Sequence, residues 1–352
     1  MPPPNIPHLD TQQQRDRAES LLVAAYRSGI TDPKELANFM GQVQHESQNF
    51  SRLEENLNYS GDRLNEVFPG RNGLTAKKAE EIAGIADRTE RHKAVAEQIY
   101  GGTWGKENLG NTEKGDGYEF RGRGYIQLTG RTNYDRHSKS TGLNLVRHPE
   151  LAAQQGNAER LATSYWQSNV HPNVAARTDP KEAGSLINTG EAGNTPKGLA
   201  ERRADATAWT AALDKGYLQD ALYRHPEALS QLNDTSRELL RDSERQVRAL
   251  ADKNKLPWDR GMDNTVFAVA QSAREQGMTD ITGLKVVDGQ IRFAQQAKGE
   301  PLREAQIDAK VAANTGVDQS VGRMVQADQA PTRSTTPAAP EPALTREPAL
   351  AH

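Results

Sequence analysis

Cysteine is absent from the 352 residues. That excludes disulfides, thiolate metal sites and a cysteine nucleophile. Such a chain can fold alike in reducing and oxidising compartments. An excess of one charge sign is also missing: 44 Lys and Arg stand against 47 Asp and Glu, a net charge of −3. No global positive field exists to drive sequence-independent nucleic-acid binding. No run approaches the ~18 apolar residues needed to span a bilayer. Met1 to Asp10 is polar and Pro-rich, and Thr11 to Glu19 is charged, so no secretory signal peptide is expected. Hydrophobic residues make up only 35% of the chain, so the core should be polar and Ala-rich.

Aromatic residues are few and lopsided. Of 6 Phe, 9 Tyr and 4 Trp, only Trp258, Phe267 and Phe293 lie beyond Tyr223. This predicts an aromatic-rich first domain over 1–218 and a smaller Ala/Gln/Arg-rich one over 219–328. Pro331, Pro337, Pro340, Pro342 and Pro348 stand among Ala, Ser and Thr, which predicts a disordered tail over 329–352.

The fold class expected is mainly α. Leu21, Leu22, Ala25 and Tyr26 share one face of a helix from about Thr11 to Arg27. Thr31-Asp32-Pro33 reads as a helix start capped by a hydroxyl, with Pro in the first turn. Leu36, Phe39, Met40 and Val43 then repeat at helical spacing. Thr75 and Thr89 start further helices, the second stopping at Gly101-Gly102. A Gly-rich loop reaches to Gly124, and Tyr125 to Thr129 reads as a short β-type run. Helices follow near 158–167, 180–187 and 197–213. In the second domain Thr235 caps a helix, and Val266 to Ala273 lies in another. Asp288-Gly289 between apolar runs predicts a hairpin with a type I′ turn. A last helix is expected from about Leu302 to Ala313.

Two constellations could carry chemistry. The first is His45-Glu46-Ser47 followed by Glu54-Glu55-Asn56. Glycosidic hydrolysis needs one carboxylic acid to protonate the leaving oxygen and one carboxylate to activate water or attack the sugar. On one continuous helix, Glu46 and Glu55 would lie on opposite faces, nine steps of ~100° apart. They can converge only if the helix breaks, and Gln48-Asn49-Phe50-Ser51 is polar enough to do so. Spacing alone leaves open that both are solvated surface carboxylates. The second constellation is Phe120 to Gly130 with Asn133-Tyr134. Its glycines allow close backbone approach. Gln127, Thr129 and Asn133 offer neutral donors and acceptors suited to sugar hydroxyls and N-acetyl groups, and Tyr125 and Tyr134 offer apolar faces. A plain Gly-rich turn into a buried strand is the other reading. The scattered His residues lack metal-ligand spacing, so no metal or cofactor is expected.

At these residues the first domain resembles glycoside hydrolase family 19, the lysozyme-like chitinases and endolysins. Four blocks match in order: His45-Glu46-Ser47, Glu55 to Ser60, Arg121 to Gly130, and Ile187-Asn188-Thr189-Gly190. The resemblance implies a lysozyme-like α+β hydrolase of inverting mechanism. Glu46 would be the general acid, with a raised pKa, and Glu55 the general base, with Thr129 helping to hold the water. An inverting pair stands about 6.5–9.5 Å apart. His45, Tyr125, Gln127, Asn133 and Asn188 would bind substrate. The compact stretch between the two Glu residues resembles the bacterial and phage branch, which implies peptidoglycan glycan strands as substrate.

The second domain resembles XVIPCD, the C-terminal signal domain of antibacterial type IV secretion effectors. The resemblance rests on His225-Pro226, Asp263-Asn264, Gly277 to Ile281, Phe293-Ala294, Pro301 to Arg303 and Val317 to Ser320. It implies a small α+β domain whose residues 222–328 dock on the coupling ATPase of the secretion channel. The protein would then pass from the producer's cytoplasm to a rival's periplasm, and the producer would need a periplasmic immunity protein. Nucleic acid and membrane are not expected partners. A phage-type endolysin or chitinase with an unrelated C-terminal domain is the alternative, and a non-catalytic glycan binder is a third.

Overall fold

The computed structural model describes residues 6–296 and 302–329. The expected tail beyond Gln329, and Pro301, lie outside the described residues. The architecture is mainly α with one three-stranded sheet. Contacts divide the chain into one compact unit ending at His225 and a second beginning at Pro226. Among the described residues no helix is long and apolar enough to cross a membrane.

The first unit runs α1 Gln12–Arg27, α2 Pro33–Glu46, α3 Gly61–Val67, α4 Ala76–Ala83, α5 Arg88–Tyr100, α6 Gly102–Leu109 and α7 Asp116–Glu119. It continues with α8 Arg131–Thr141, α9 Gln155–Asn169, α10 Val174–Thr178, α11 Pro180–Thr189, α12 Leu199–Asp214 and α13 Tyr217–Arg224. The starts of α1 to α5, α10 and α11 carry side-chain caps that accept orphan N–H groups. Thr11 and Gln14 form a reciprocal capping box on α1. Two starts differ from expectation. Asp32, not Thr31, caps α2, and Asp87, not Thr89, caps α5. In both, a carboxylate one or two residues away from the Thr takes the N–H groups and gains from the helix dipole as well. The Gly-rich loop after Gly101 is also more ordered than expected, since it contains α6 and α7.

Helix α2 is the axis of this unit. Every residue from Glu35 to Gln44 is buried. Its apolar face, with Leu36, Phe39, Met40 and Val43, was legible from periodicity. Its polar face is buried as well, because each side chain finds a partner. Asn38 donates to the Ala176 carbonyl at 2.9 Å, and Gln42 to that of Pro180 at 3.0 Å. Gln44 accepts from the Trp209 indole at 2.9 Å. Glu35 accepts from the Trp166 indole at 2.8 Å. Phe39 meets Trp166 edge-on at 5.4 Å between centroids. Burying a side chain such as Phe39 stabilises the fold by about 1.5–3 kcal/mol.

Two further clusters flank this core. Leu57, Leu64, Leu74, Ile82, Val95 and Ile99 pack among α3, α4 and α5. Phe120, Leu128, Tyr134, Leu145 and Leu161 pack around the 120–130 segment and α8. The expected β-type run at Tyr125–Thr129 is a turn instead: only Arg123 and Leu128 form an isolated bridge across it. Gly124 and Gln127 take positive φ of 73° and 48°. That folds the backbone back, so that Tyr125 enters the main core and Leu128 the flanking cluster.

The second unit runs α14 Asp234–Lys253, α15 Arg260–Glu275, β1 Gly283–Val287, β2 Gln290–Gln295, β3 Arg303–Asp308, α16 Ala309–Asn314 and α17 Val317–Gln329. The sheet is antiparallel in the order β1-β2-β3, with Phe293 opposite Leu284 and Ala305. The hairpin turn is of the expected type, since Asp288 and Gly289 both have positive φ. Two expectations are corrected. The helix foreseen from Leu302 is a strand up to Asp308: Ala305 and Ile307 alternate with polar residues at period 2. Asp308 then caps α16 by accepting from Lys310 and Val311. Asn233, not Thr235, caps α14. Asp328 of α17 accepts from Ser236 of α14 at 2.7 Å and from Arg274 of α15 at 2.7 Å, tying three helices together.

In the first unit, α2 and α12 touch through glycine. A Cβ on Gly41 would lie 2.6 Å from the Ala206 backbone nitrogen. Gly41→Ala is therefore expected to push the helices apart and lower stability by about 1–3 kcal/mol. Urea unfolding measures this, and an unchanged midpoint would contradict the close packing.

Candidate active site

The break that the two glutamates require is present. Helix α2 ends at Glu46, and Gln48, Asn49 and Phe50 follow with φ of 52°, 61° and 58°. Three successive non-glycine residues in the left-handed region are costly, on the order of 1–2 kcal/mol each. The surroundings fix them. The Ser47 hydroxyl donates to the Val43 carbonyl at 2.7 Å and accepts from the Phe50 N–H at 2.9 Å. The Phe50 ring is fully buried, edge-on to Tyr125 and Trp209. Arg17 of α1 donates to the carbonyls of Phe50 at 3.1 Å and Ser51 at 2.9 Å. The chain then leaves the main core at Leu53 and enters the second cluster at Leu57. Glu55 sits on the crossing between them.

Glu55 is held in a nest of donors. Its Oε2 accepts from the Gly122 N–H at 2.7 Å, and its Oε1 from the Tyr100 hydroxyl at 3.2 Å. Its own N–H donates to the Gly122 carbonyl at 2.9 Å. Burial pushes the Glu55 carboxyl above its ordinary range. The Gly122 and Tyr100 hydrogen bonds and the charges of Arg121 and Arg123 oppose that rise without cancelling it. Gly122 is required here by space: a Cβ would lie 2.7 Å from Glu55 Oε2 and 2.9 Å from Gln127 Oε1. The same clash shows that these two oxygens flank one point. The Thr129 hydroxyl donates to the Gln127 carbonyl at 2.8 Å, and Asn133 donates to the Thr129 carbonyl at 2.8 Å. Glu55, Gln127, Thr129 and Asn133 thus form one connected, half-buried group. Glu54, by contrast, is exposed and shared between Arg121 and Arg123.

Glu46 belongs to a second group. It forms an ion pair with Arg202 of α12, which is 1% exposed. Arg202 also donates to the Gln42 side chain at 2.6 Å and to the Lys197 carbonyl at 2.9 Å. Asn188 is exposed and accepts from the Lys197 N–H at 2.8 Å, so it joins the same chain of contacts. His45 is half-buried against Gly198, where a Cβ would lie 2.1 Å from its ring. Burial lowers the His45 pKa, and the Arg202 charge lowers it further against the opposing charges of Glu46 and Glu201.

The carboxyl lifted by burial is Glu55, and Glu46 is paired with the Arg202 guanidinium. One expectation changes. Tyr125 is fully buried against Phe50, so its ring is core and offers no face to a sugar. Tyr134 is likewise buried. Arg202 of α12 is a buried partner of Glu46. Tyr100 and Gly122 were not foreseen as partners of Glu55. No local signal could have found Arg202, which lies 156 positions from Glu46.

Tyr100 donates to the ionised form of Glu55. Tyr100→Phe is therefore expected to raise the Glu55 carboxyl pKa further. Carbon NMR titration of the Glu55 side chain checks this. A midpoint in the ordinary range in the wild type, or one that falls in the variant, would contradict the geometry.

Comparison with known proteins adds two findings. Residues 233–326 match the family model described as X-Tfes, XVIPCD. In its N-terminal region the chain is similar to a glycosyl hydrolase family 19 domain-containing protein of Haemophilus influenzae. The two are 33% identical over 143 residues, covering 40% of this chain and 65% of the relative. The chain thus spans a little under two thirds of the length of the curated relative it matches. The architecture is therefore an N-terminal region similar to glycosyl hydrolase family 19, followed by an XVIPCD domain.

Proposed function

We propose that the chain is an antibacterial type IV secretion effector that hydrolyses glycosidic bonds of peptidoglycan glycan strands. The observation that carries this is the pair Glu46 and Glu55, set on either side of a fixed helix break and given unlike surroundings. Unlike environments are what allow two carboxyl groups to serve as acid and base in one reaction.

In this reading Glu55 is the general base. Its oxygens are oriented by Gly122 and Tyr100, and its raised proton affinity makes it a stronger base than a free carboxylate. Thr129, one link away through Gln127, helps to hold the attacking water. Glu46 is the general acid. Arg202 fixes its Oε1, and Oε2 is left to meet the leaving oxygen. Water attacks the anomeric carbon opposite the departing sugar, Glu55 takes the water's proton, Glu46 protonates the glycosidic oxygen, and the configuration inverts. His45, Gln127, Asn133 and Asn188 supply hydrogen bonds to sugar hydroxyl and N-acetyl groups. No cofactor takes part in this scheme. The raised carboxyl of Glu55 favours a second reading in which the two roles are exchanged.

The XVIPCD domain supports delivery by docking on the coupling ATPase of a type IV channel, from the producer's cytoplasm into a rival's periplasm. A producer then needs an immunity protein in its own periplasm. A chitinase, or an endolysin freed by lysis, would need no such domain.

Glu46→Gln and Glu55→Gln are each expected to reduce solubilisation of purified peptidoglycan by roughly 10²-fold or more. Equal activity in wild type and both variants would end the catalytic assignment. An aryl glycoside with a good leaving group needs little protonation, so it should spare Glu46→Gln, while azide should rescue Glu55→Gln. The reverse pattern would establish the exchanged roles. Deleting 226–352 should abolish killing of neighbouring cells on contact, and undiminished killing would refute delivery through this domain.

A further inference from the structure

Three arginines gather on the Glu55 side of the first unit. Arg88 and His92 lie one helical turn apart on α5, at positions that share a face. His92 Nε2 lies 2.8 Å from Asn58 Oδ1. The Asn58 N–H and side chain both donate to Asn56, the residue next to Glu55. Arg121 comes from the 120–130 segment, its guanidinium 4.2 Å from the centre of the Tyr118 ring. Burial lowers the His92 pKa, and the charges of Arg88, Arg91 and Arg121 lower it further. The ring thus lies within the field of all three cations.

Of the acidic groups nearby, only Glu54 pairs with an arginine of this patch, Arg121. The Asp87 side chain is used as the helix cap, accepting from the Glu90 N–H at 2.8 Å. Glu90 pairs with Lys93 at 2.9 Å, and Glu66 with Arg63 at 2.8 Å. Glu54 forms an ion pair with Arg121 at 3.4 Å and with Arg123 at 3.3 Å, so it offsets Arg121 in part and is itself shared. Arg91 donates to the Ile85 carbonyl at 2.7 Å. Among the described residues neither Arg88 nor Arg91 forms an ion pair with a carboxylate. Such a patch in a chain of net charge −3 is a local feature, linked toward Glu55 through His92, Asn58 and Asn56.

A strand of N-acetylglucosamine alone is uncharged. A peptidoglycan strand differs in carrying peptides with free carboxylates on every second sugar. We infer that Arg88, Arg91 and Arg121 form a cationic seat for the carboxylates of the peptides borne by the glycan strand bound at Glu55. This rests on the peptidoglycan reading above and gives it a physical basis for preferring that strand to a neutral one. Guanidinium groups match carboxylates through paired N–H donors, which a neutral glycan cannot use.

The full-length chain is tested on two preparations of purified sacculi, one native and one with its carboxyl groups amidated. Wild type should release soluble fragments more slowly from the amidated wall, by roughly three- to tenfold. The exposed-site variant Arg88→Glu, and Arg88→Glu with Arg91→Gln, should slow on native sacculi by a similar factor and match wild type on amidated ones. Arg88→Lys should recover most of the loss, and added salt should shrink the difference. Thermal melting confirms that each variant folds. Equal rates for wild type and variants on native sacculi, or equal losses on both preparations, would overturn the seat. Co-sedimentation of the chain with the same two preparations reads the patch whether or not any bond is cut. If wild type cuts neither preparation yet sediments preferentially with native sacculi, the hydrolase reading fails and the seat stands. No preference in sedimentation overturns the seat by itself.

Discussion

The break after Glu46 is the constraint on which the first unit depends. Continued for nine residues, helix α2 would turn Glu46 and Glu55 away from each other. Three left-handed residues redirect the backbone within one turn. Their conformation is unfavourable in isolation, so it persists only because the neighbours over-determine it. Phe50 supplies the anchor by entering the core. Ser47 closes the helix end on one side, and Arg17 grips the outgoing carbonyls on the other. Strain of this kind clusters where geometry matters more than local comfort, and here it lies between the two candidate carboxyl groups.

What the break separates is as important as what it joins. Glu46 ends a helix buried on all sides and is tied to Arg202, itself braced by Gln42 and the Lys197 carbonyl. Glu55 lies on an extended segment, caught by a backbone N–H and a phenol, with burial setting its proton affinity. The same Gly122 that donates to Glu55 leaves no space for a side chain beside Gln127. The chemistry of both groups is therefore written into contacts with distant parts of the chain. The buried polar face of α2 is part of the same logic: Gln42 steadies Arg202 while Asn38 and Gln44 bind neighbouring elements.

Much of this was legible in the sequence, and the remainder fails for identifiable reasons. Helices with an apolar stripe, the Asp-Gly hairpin and the need for a break between Glu46 and Glu55 follow from periodicity and turn chemistry. Caps were misplaced by one or two residues where an aspartate or asparagine stood near a threonine, because each can accept the same N–H groups. The Leu302 segment was read as helical although Ala305 and Ile307 alternate, since a six-residue strand gives too short a signal against the helix that follows. Tyr125 was assigned to the ligand because an aromatic ring in a Gly-rich turn suits a sugar or a core equally, and only packing against Phe50 decides. Arg202 and Tyr100 reach the site by tertiary folding, so no spacing along the chain announces them.

The second unit is built on other principles, with α14, α15 and α17 laced by Asp328 and a small sheet whose register is pinned by its hairpin. Its residues 233–326 match the XVIPCD family model, and the N-terminal region is similar to a glycosyl hydrolase family 19 domain-containing protein. The proposed function stands or falls with the first unit, where an acid and a base are to act on opposite faces of one sugar. The most direct measurement is proton NMR of the first-formed reducing end during hydrolysis of a β-linked glycan fragment. The account predicts that the α-anomer appears first and then mutarotates. Initial release of the β-anomer would mean retention, and would contradict the paired roles given to Glu46 and Glu55.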